Sequence, residues 1–460
     1  MESSLLAHVV LVALAWWVQC SDGLLLIEPP MTQLLSSADR YLSDSLKTVD
    51  PLYVARKRNS TRRILSSANG NPVDDCWRSD PNWHTNRQAL ADCAIGFGKH
   101  AAGGKAGKVY VVTDDSDDNV VEPKEGTLRY GVLQEEPLWI IFDRNMKIRL
   151  KNELIMTSYK TIDGRGANVH LSGGAGLKIQ FVQNIIVHGI HMHNIVPTGP
   201  AKIRSSPDHV GHRDKTDGTA IAIFTSHDIW VDHCFFSKAD DGLVDAIRGS
   251  TRITVSNCYF SHQDKVMLFG AHKQDTEDRD MTVTVAFNHF GPGLIQRLPR
   301  MRFGYCHVVN NDYPSGWGMY AIGGSEDPTF LSEGNRFVAS DAKEVTKRVD
   351  DGGKDYGGED NWNWASNGDL FLNGAIFKSS GASDGASVYN MATSLSARPA
   401  SLVESITSDS GPLMCTAGDG YCAGNYDIQS ISSGVDRNQP PTFSLPICSI
   451  VFILLPLFLN

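Results

Sequence analysis

Between residues 185 and 340 the chain alternates apolar and polar positions in short runs: "IIVHGIHMHNI", "IWVDHCFFS", "ITVSNCYFS", "VTVAFNHFG" and "HVVNNDYP". Strict alternation is the signature of strands with one buried face. Aligning the closing aromatics gives Phe236, Phe260, Phe290, Tyr313 and Phe337, spaced by 24, 30, 23 and 24 residues. Asn288, Asn311 and Asn335 fall in the same register. A repeat of 20–50 residues implies stacked units, and no helical pattern separates these runs. The pattern therefore predicts an all-β chain, a right-handed parallel β-helix with about 24 residues per coil and about 4.8 Å between coils. An antiparallel sandwich would show turns every 8–12 residues, and this one does not.

The same period acts on the charged positions. Asp217 to Asp241 is 24 residues and Asp241 to Lys265 is another 24, so the three are expected at one lateral position on successive coils. Asp245 shares the coil of Asp241. Lys265 to Arg297 is 32, one coil plus an insertion assigned to "KQDTEDRD" at 273–280, and Arg302 follows five residues later. Stacked carboxylates repel one another unless a positive charge lies among them. A hard divalent cation with oxygen ligands, Ca²⁺ before Mg²⁺, would remove the conflict. A solvated acidic face neutralised by the nearby Lys and Arg would also do so, and spacing leaves both readings open.

Composition narrows the partners. The 460 residues are 41% hydrophobic and 20% charged, with a formal net charge of −10 and no long basic run. That excludes nucleic acid as a partner, and a polyanion would need local cations or a metal to hold it. Residues 1–22 read as a signal peptide, with "LLAHVVLVALAWWV" as its apolar run. A short membrane anchor is the alternative. Residues 23–70 form a polar leader that carries the basic stretch "RKRNSTRR" and the sequon at Asn59. The folded domain is expected over 71–425. In 426–460, small residues (Ser432, Ser433, Gly434), a polar spacer and an apolar tail have the order of a glycosylphosphatidylinositol signal. The protein is thus expected to be secreted and extracellular, tied to a membrane only through that lipid, and monomeric.

An oxidising compartment permits disulfides. Cys76 with Cys93 and Cys415 with Cys422 are the expected pairs; Cys234, Cys258 and Cys306 sit in strand-like runs and read as buried thiols. Other motifs are weak. "GFGKHAAGG" and "GKAGKV" do not open a helix after a strand, so they are not nucleotide loops. "DDSDDN" at 114–119 reads as a solvated loop, His188, His191 and His193 as structural, and Trp362 and Trp364 as either a sugar platform or a cap on the last coil.

Two long stretches and one short one strongly resemble the plant pectate lyases of polysaccharide lyase family 1: "WVDHCFFSKADDGLVDAIRGSTRITVSNCYFSHQDKVMLFG", "MTVTVAFNHFGPGLIQRLPRMRFGYCHVVNNDYP" and "YAIGGS". "NPVDDCWRSDPNWHTNRQALADCAIGFG" matches the start of their mature domain, and the likeness spans about residues 70–425. The resemblance implies a parallel β-helix enzyme that cleaves de-esterified homogalacturonan (polygalacturonate) in the plant cell wall by Ca²⁺-dependent β-elimination. It carries the calcium carboxylates onto Asp217, Asp241 and Asp245, the catalytic arginine onto Arg297, and the carboxylate-holding cations onto Lys265 and Arg302. The chain departs from the family pattern at Thr219, where a second acidic residue is usual, and at Ser79 and Met301, where cysteines are frequent. Thr219 keeps open an alternative, a pectin-binding protein on the lyase fold that does not cleave. Intact Asp217, Asp241 and Asp245 argue against a lyase that prefers methyl esters.

Overall fold

The computed structural model of the protein describes residues 70–78, 80–349, 362–381, 394–417 and 422. Signal peptide, leader with Asn59, and apolar tail all lie outside the described residues, as does Ser79.

Parallel strands stack into three sheets of ten, nine and eight strands, forming a right-handed parallel β-helix. One coil is His227–Asp232, Phe235–Ala239 and Val244–Ile247, one strand for each sheet. The next is Thr251–Ser256, Tyr259–Ser261 and Met267–Phe269. Alternate side chains point inward, so Ile229, Val231, Phe236, Val244 and Ala246 are all buried in one core. The aromatic ladder is real: ring centroids are 5.3 Å apart for Phe236–Phe260 and Phe260–Phe290. They are 4.4 Å apart for Phe290–Tyr313 and 4.6 Å for Tyr313–Phe337, and Phe371 continues the stack.

The asparagine ladder is equally regular. Asn311 Oδ1 accepts from the backbone N–H and the amide of Asn288, and Asn335 Oδ1 does the same for Asn311. Parallel strands leave bend groups that the sheet hydrogen bonds do not reach, and the stacked amides satisfy them rung by rung. The bends themselves use left-handed residues, including His233, Asn257 and Asn310, a conformation that Asn and His tolerate better than most residues.

The outer face of the ten-stranded sheet is covered by described residues that precede and follow the coils. Helix Pro72–Trp77, capped by the Asn71 side chain, and the 3₁₀ turn Arg87–Cys93 are joined by the Cys76–Cys93 disulfide. Their Trp77, Trp83 and Leu90 pack on Trp139, Ile186 and Trp230, together with Leu413 and the disulfide-linked Cys415 and Cys422. The glycine-rich stretch that precedes the first strand is there for close approach. A side chain at Gly104 would lie 1.9 Å from the Leu138 carbonyl oxygen. A buried charge network ties the arm down: His233 bonds Asp74 at 2.8 Å, and Arg78 bonds both Asp74 and Asp409.

Some expectations change in detail and others hold. Asp117 of the "DDSDDN" loop is buried, because Arg129 grips both its oxygens at 2.6 and 2.7 Å. The coil spacing in the eight-stranded sheet is 23 residues at Val244↔Met267, not 24. Lys265 pairs with Gln296, which puts Arg297 on the next coil, immediately after that pair. Cys234, Cys258 and Cys306 are buried free thiols. His188 bonds Asp232 at 2.9 Å, and His191 stacks on His170. Trp364 is buried in Trp364–Asn367, the last strand of the ten-stranded sheet, so it ends the core and faces no ligand.

Candidate active site

With the ten-stranded sheet covered by the terminal arms, the outward side of the eight-stranded sheet is where charged side chains gather. Its outward column runs Ile155, Lys178, Ala222, Asp245, Leu268, Arg300, Gly323 and Lys347 in register. Alternation explains it: the flanking Leu177, Ile179, Ile221 and Ile223 fill the core, which turns Lys178, Ala222 and Asp245 outward.

Asp241 lies in the bend between Phe235–Ala239 and Val244–Ile247. Gln263, on the next coil, holds this bend: its carbonyl oxygen accepts from Ala239 N–H, and its amide donates to the carbonyls of Ala239 and Asp241. Lys265 Nζ then sits 3.0 Å from Asp241 Oδ1. Asp245 accepts the Leu268 N–H at 2.9 Å. Desolvation of its carboxyl and the charge of Asp241 push the Asp245 pKa up to about 7. Asp217 is on the preceding coil, beside Gly218, whose carbonyl accepts from Asp241 N–H at 3.4 Å. Glycine is required at 218. Its φ is +90°, and a side chain would meet Asp240 Cβ at 2.8 Å.

Arg297 occupies the left-handed region, with φ 64°, immediately after Leu294–Gln296 and before the cis Leu298–Pro299 bond. Its carbonyl accepts from Met267 N–H, which fixes the backbone to the coil of Lys265. Its Nε is buried without a hydrogen-bond partner among the described residues. Arg302 is buried, with Nη1 3.5 Å from Glu326 Oε1.

A cavity of about 340 Å³ is lined by Glu153, Lys178, Arg213, Asp217 and Thr219. Another, of about 420 Å³, is lined by Asp240, Asp241, Gln263, Lys265 and Gly293. The predicted residues therefore come together on one face, but unevenly. Asp241 and Lys265 touch, Asp245 is their neighbour, Asp217 opens on the adjoining cavity, and Arg297 and Arg302 flank them on the following coil. Among the described residues no three or more His, Cys, Asp or Glu side chains close around a point that could hold a metal ion. Donor chemistry still suits calcium: Asp217, Asp241 and Asp245 offer only carboxylate oxygens, the donors a hard divalent cation prefers.

Counting by 24 missed Lys178. The long loop between Ile195 and Thr219 separates Lys178 from its partner Ala222 by 44 residues. Burial pushes the Lys178 ammonium below its ordinary pKa, against the pull of Glu153, Asp217 and Asp245. The site thus has a cation of its own on the side where Thr219 stands. Gln263, which holds the Asp241 bend, was also not evident, since its residue type does not announce chemistry at a distance.

Residues 146–413 match the pectate lyase family profile. Probable pectate lyase 5 of Arabidopsis thaliana is 58% identical over 371 residues, covering 79% of this chain and 90% of the relative. A pectate lyase of Zinnia elegans is 55% identical over 371 residues, covering 79% and 91%. Among solved structures, jun a 1, the major allergen from cedar pollen, superposes with a TM-score of 0.71 at 44% identity, covering 75% of this chain and all of that one. By profile, by identity and by fold, the chain belongs to the plant pectate lyases of polysaccharide lyase family 1.

Proposed function

We propose that this chain cleaves de-esterified homogalacturonan by Ca²⁺-dependent β-elimination, with Arg297 as the base. The observation that carries the reading is the grouping of Asp241, Asp245 and Lys265 on one open face, with Arg297 on the next coil.

Elimination removes the proton on C5 of a uronate, forms the C4=C5 double bond and expels the glycosidic oxygen from C4, which takes up a proton from water. Negative charge builds on the uronate carboxylate in the transition state, so cations positioned there lower the barrier. Lys265 and Arg302 supply two such charges and orient the sugar. Asp217, Asp241 and Asp245 would hold Ca²⁺, which when bound draws charge from the same carboxylate and acidifies the C5 proton. Arg297 acts either as a neutral guanidine that takes the proton and becomes guanidinium, or as the guanidinium that stabilises the charge while hydroxide takes the proton and becomes water. A free guanidinium stays protonated near neutrality, and both routes are expected to run best at alkaline pH.

The reading extends to the parts outside the described residues. It takes 1–22 as a secretion signal, Asn59 as a glycan site and 426–460 as the signal for a lipid anchor, so that a monomeric enzyme works in the cell wall, free or at the plasma membrane surface. The apolar runs at both ends and the small residues at 432–434 support this.

The test is the absorbance of unsaturated product from polygalacturonate at mildly alkaline pH, with calcium and with excess chelator, using protein ended before Ser432. Calcium-dependent product that disappears in Arg297→Ala is the expected result. No product from folded protein with calcium would overturn it in favour of a pectin-binding protein, with Thr219→Asp the first restoration to try.

A further inference from the structure

The parallel ladder between Phe235–Ala239 and Tyr259–Ser261 ends at the pair Ser237 and Ser261. Beyond it both coils turn through left-handed residues, Lys238 with φ 53° and His262 with φ 48°. Ala239 then pairs with Ile195 of the coil before, and Gln263 with Leu294 of the coil after. The peptide groups of Ala239 and Asp241 that face the Gln263 coil therefore have no strand opposite them, and peptide groups withdrawn from water need partners.

The Gln263 side chain fills that gap. A primary amide carries both an acceptor oxygen and two N–H donors. Here the oxygen accepts from Ala239 N–H at 2.8 Å, and the nitrogen donates to the carbonyls of Ala239 and Asp241. The side chain thus stands in for the missing peptide group. It is buried, and its own backbone is fixed, since Gln263 N–H bonds the Gly293 carbonyl at 3.0 Å. Asp241 is consequently tied to both neighbouring coils. Its N–H goes to the Gly218 carbonyl, its carbonyl to Gln263, and one carboxylate oxygen to Lys265, two residues further along the Gln263 strand. The last tie holds the carboxylate, while the first two set where it points from.

We propose that Gln263 is a positioning residue for the cation site: its amide holds the bend so that the Asp241 carboxylate stands ready for Ca²⁺ before the ion arrives. This rests on the reading of Asp241 as a calcium ligand. When only a fraction of molecules holds the competent arrangement, the apparent dissociation constant rises by the inverse of that fraction. Lys265 does not substitute for the amide, because its flexible ammonium follows the carboxylate wherever the bend carries it. Gln263 therefore acts on calcium affinity, and its loss is made good by more calcium.

The experiment is calorimetric titration of wild type and Gln263→Met with calcium alone, beside the calcium concentration that gives half-maximal turnover of polygalacturonate. Gln263→Met keeps the length of the side chain and removes all three of its hydrogen bonds. It is expected to weaken calcium binding about tenfold, as loss of a partner that orients a metal ligand does elsewhere. The half-activating calcium concentration is expected to rise by the same factor, with kcat at saturating calcium within about twofold of wild type. A purely structural role would lower the urea midpoint and leave the calcium affinity of the folded protein as in wild type, and that result would overturn the proposal. A loss of kcat that saturating calcium does not restore would overturn it too. Absence of calcium binding by folded wild type would overturn the assignment of Asp241 and the proposal with it. Should Gln263→Met not fold, Gln263→Glu keeps an oxygen to accept from Ala239 N–H, loses the donated bonds and adds a negative charge that by itself tightens cation binding. Weaker binding is expected in that variant all the same, and equal or tighter binding would overturn the proposal.

Discussion

Lys265 Nζ lies 3.0 Å from Asp241 Oδ1, across one coil of the helix and within the charged face. Both side chains are partly open to solvent, so the pair contributes little to folding, on the order of 0.5 kcal/mol. Its position beside Asp245 instead gives it chemical value. Lys265→Ala is therefore expected to leave the urea unfolding midpoint almost unchanged and to lower kcat/KM about a hundredfold. A large loss of stability with activity retained would contradict this.

Calcium binding can be followed apart from turnover. In Asp245→Asn, isothermal titration with calcium alone is expected to show binding weakened at least about tenfold, because a ligand and its charge are both lost. Lys178→Ala is expected to act in the opposite sense, tightening binding by roughly fivefold, since a cation leaves the cavity shared with Asp217. Equal affinities in all three proteins would remove these residues from the metal site.

Stability should depend on pH through His233. Burial pushes the pKa of its imidazole down, but Asp232 and Asp74 outweigh that and hold it at about 9. A group whose folded pKa is raised contributes stability in full below its unfolded value, near 6.5, and loses it as pH rises through 9. Asp74, held at about 2 against its burial by His233 and Arg78, contributes above its unfolded value and loses this as pH falls through 2. Urea unfolding midpoints at pH 7 and pH 10 are expected to differ more in wild type than in His233→Gln. A parallel fall in both would show that another group is responsible.

The asparagine ladder offers a test of the fold. Asn311 bonds Asn288, Asn335 and the Val285 carbonyl, all within the core. Asn311→Leu would strand several buried polar groups and is expected to cost about 3 kcal/mol, read from the urea midpoint. A cost below about 1 kcal/mol would mean that the ladder records packing more than hydrogen bonding.

Much of this was legible in the sequence. Phe236, Phe260, Phe290, Tyr313 and Phe337 stack as their spacing requires, because each coil must repeat its inward pattern to stack on the one before. Asp241 and Lys265 meet for the same reason. Lys178 was not singled out, although the 44-residue step across the loop after Ile195 that relates Met192 to Phe236 also relates it to Ala222. The 32-residue step from Lys265 to Arg297 put Arg297 on the next coil but left its register open, and the pairing of Lys265 with Gln296 decides it.

The chain by itself determined the architecture, the location of the charged face and the identity of most of its charges, because those follow from a local period and the residues that occupy it. Tertiary structure decided which face stayed open, through the terminal arms that cover Trp139, Ile186 and Trp230. It also placed Lys178 beside Asp217 and the Gln263 side chain in the bend that carries Asp241. Those contacts join residues from different coils through the lengths and paths of the loops between them, which no repeat encodes.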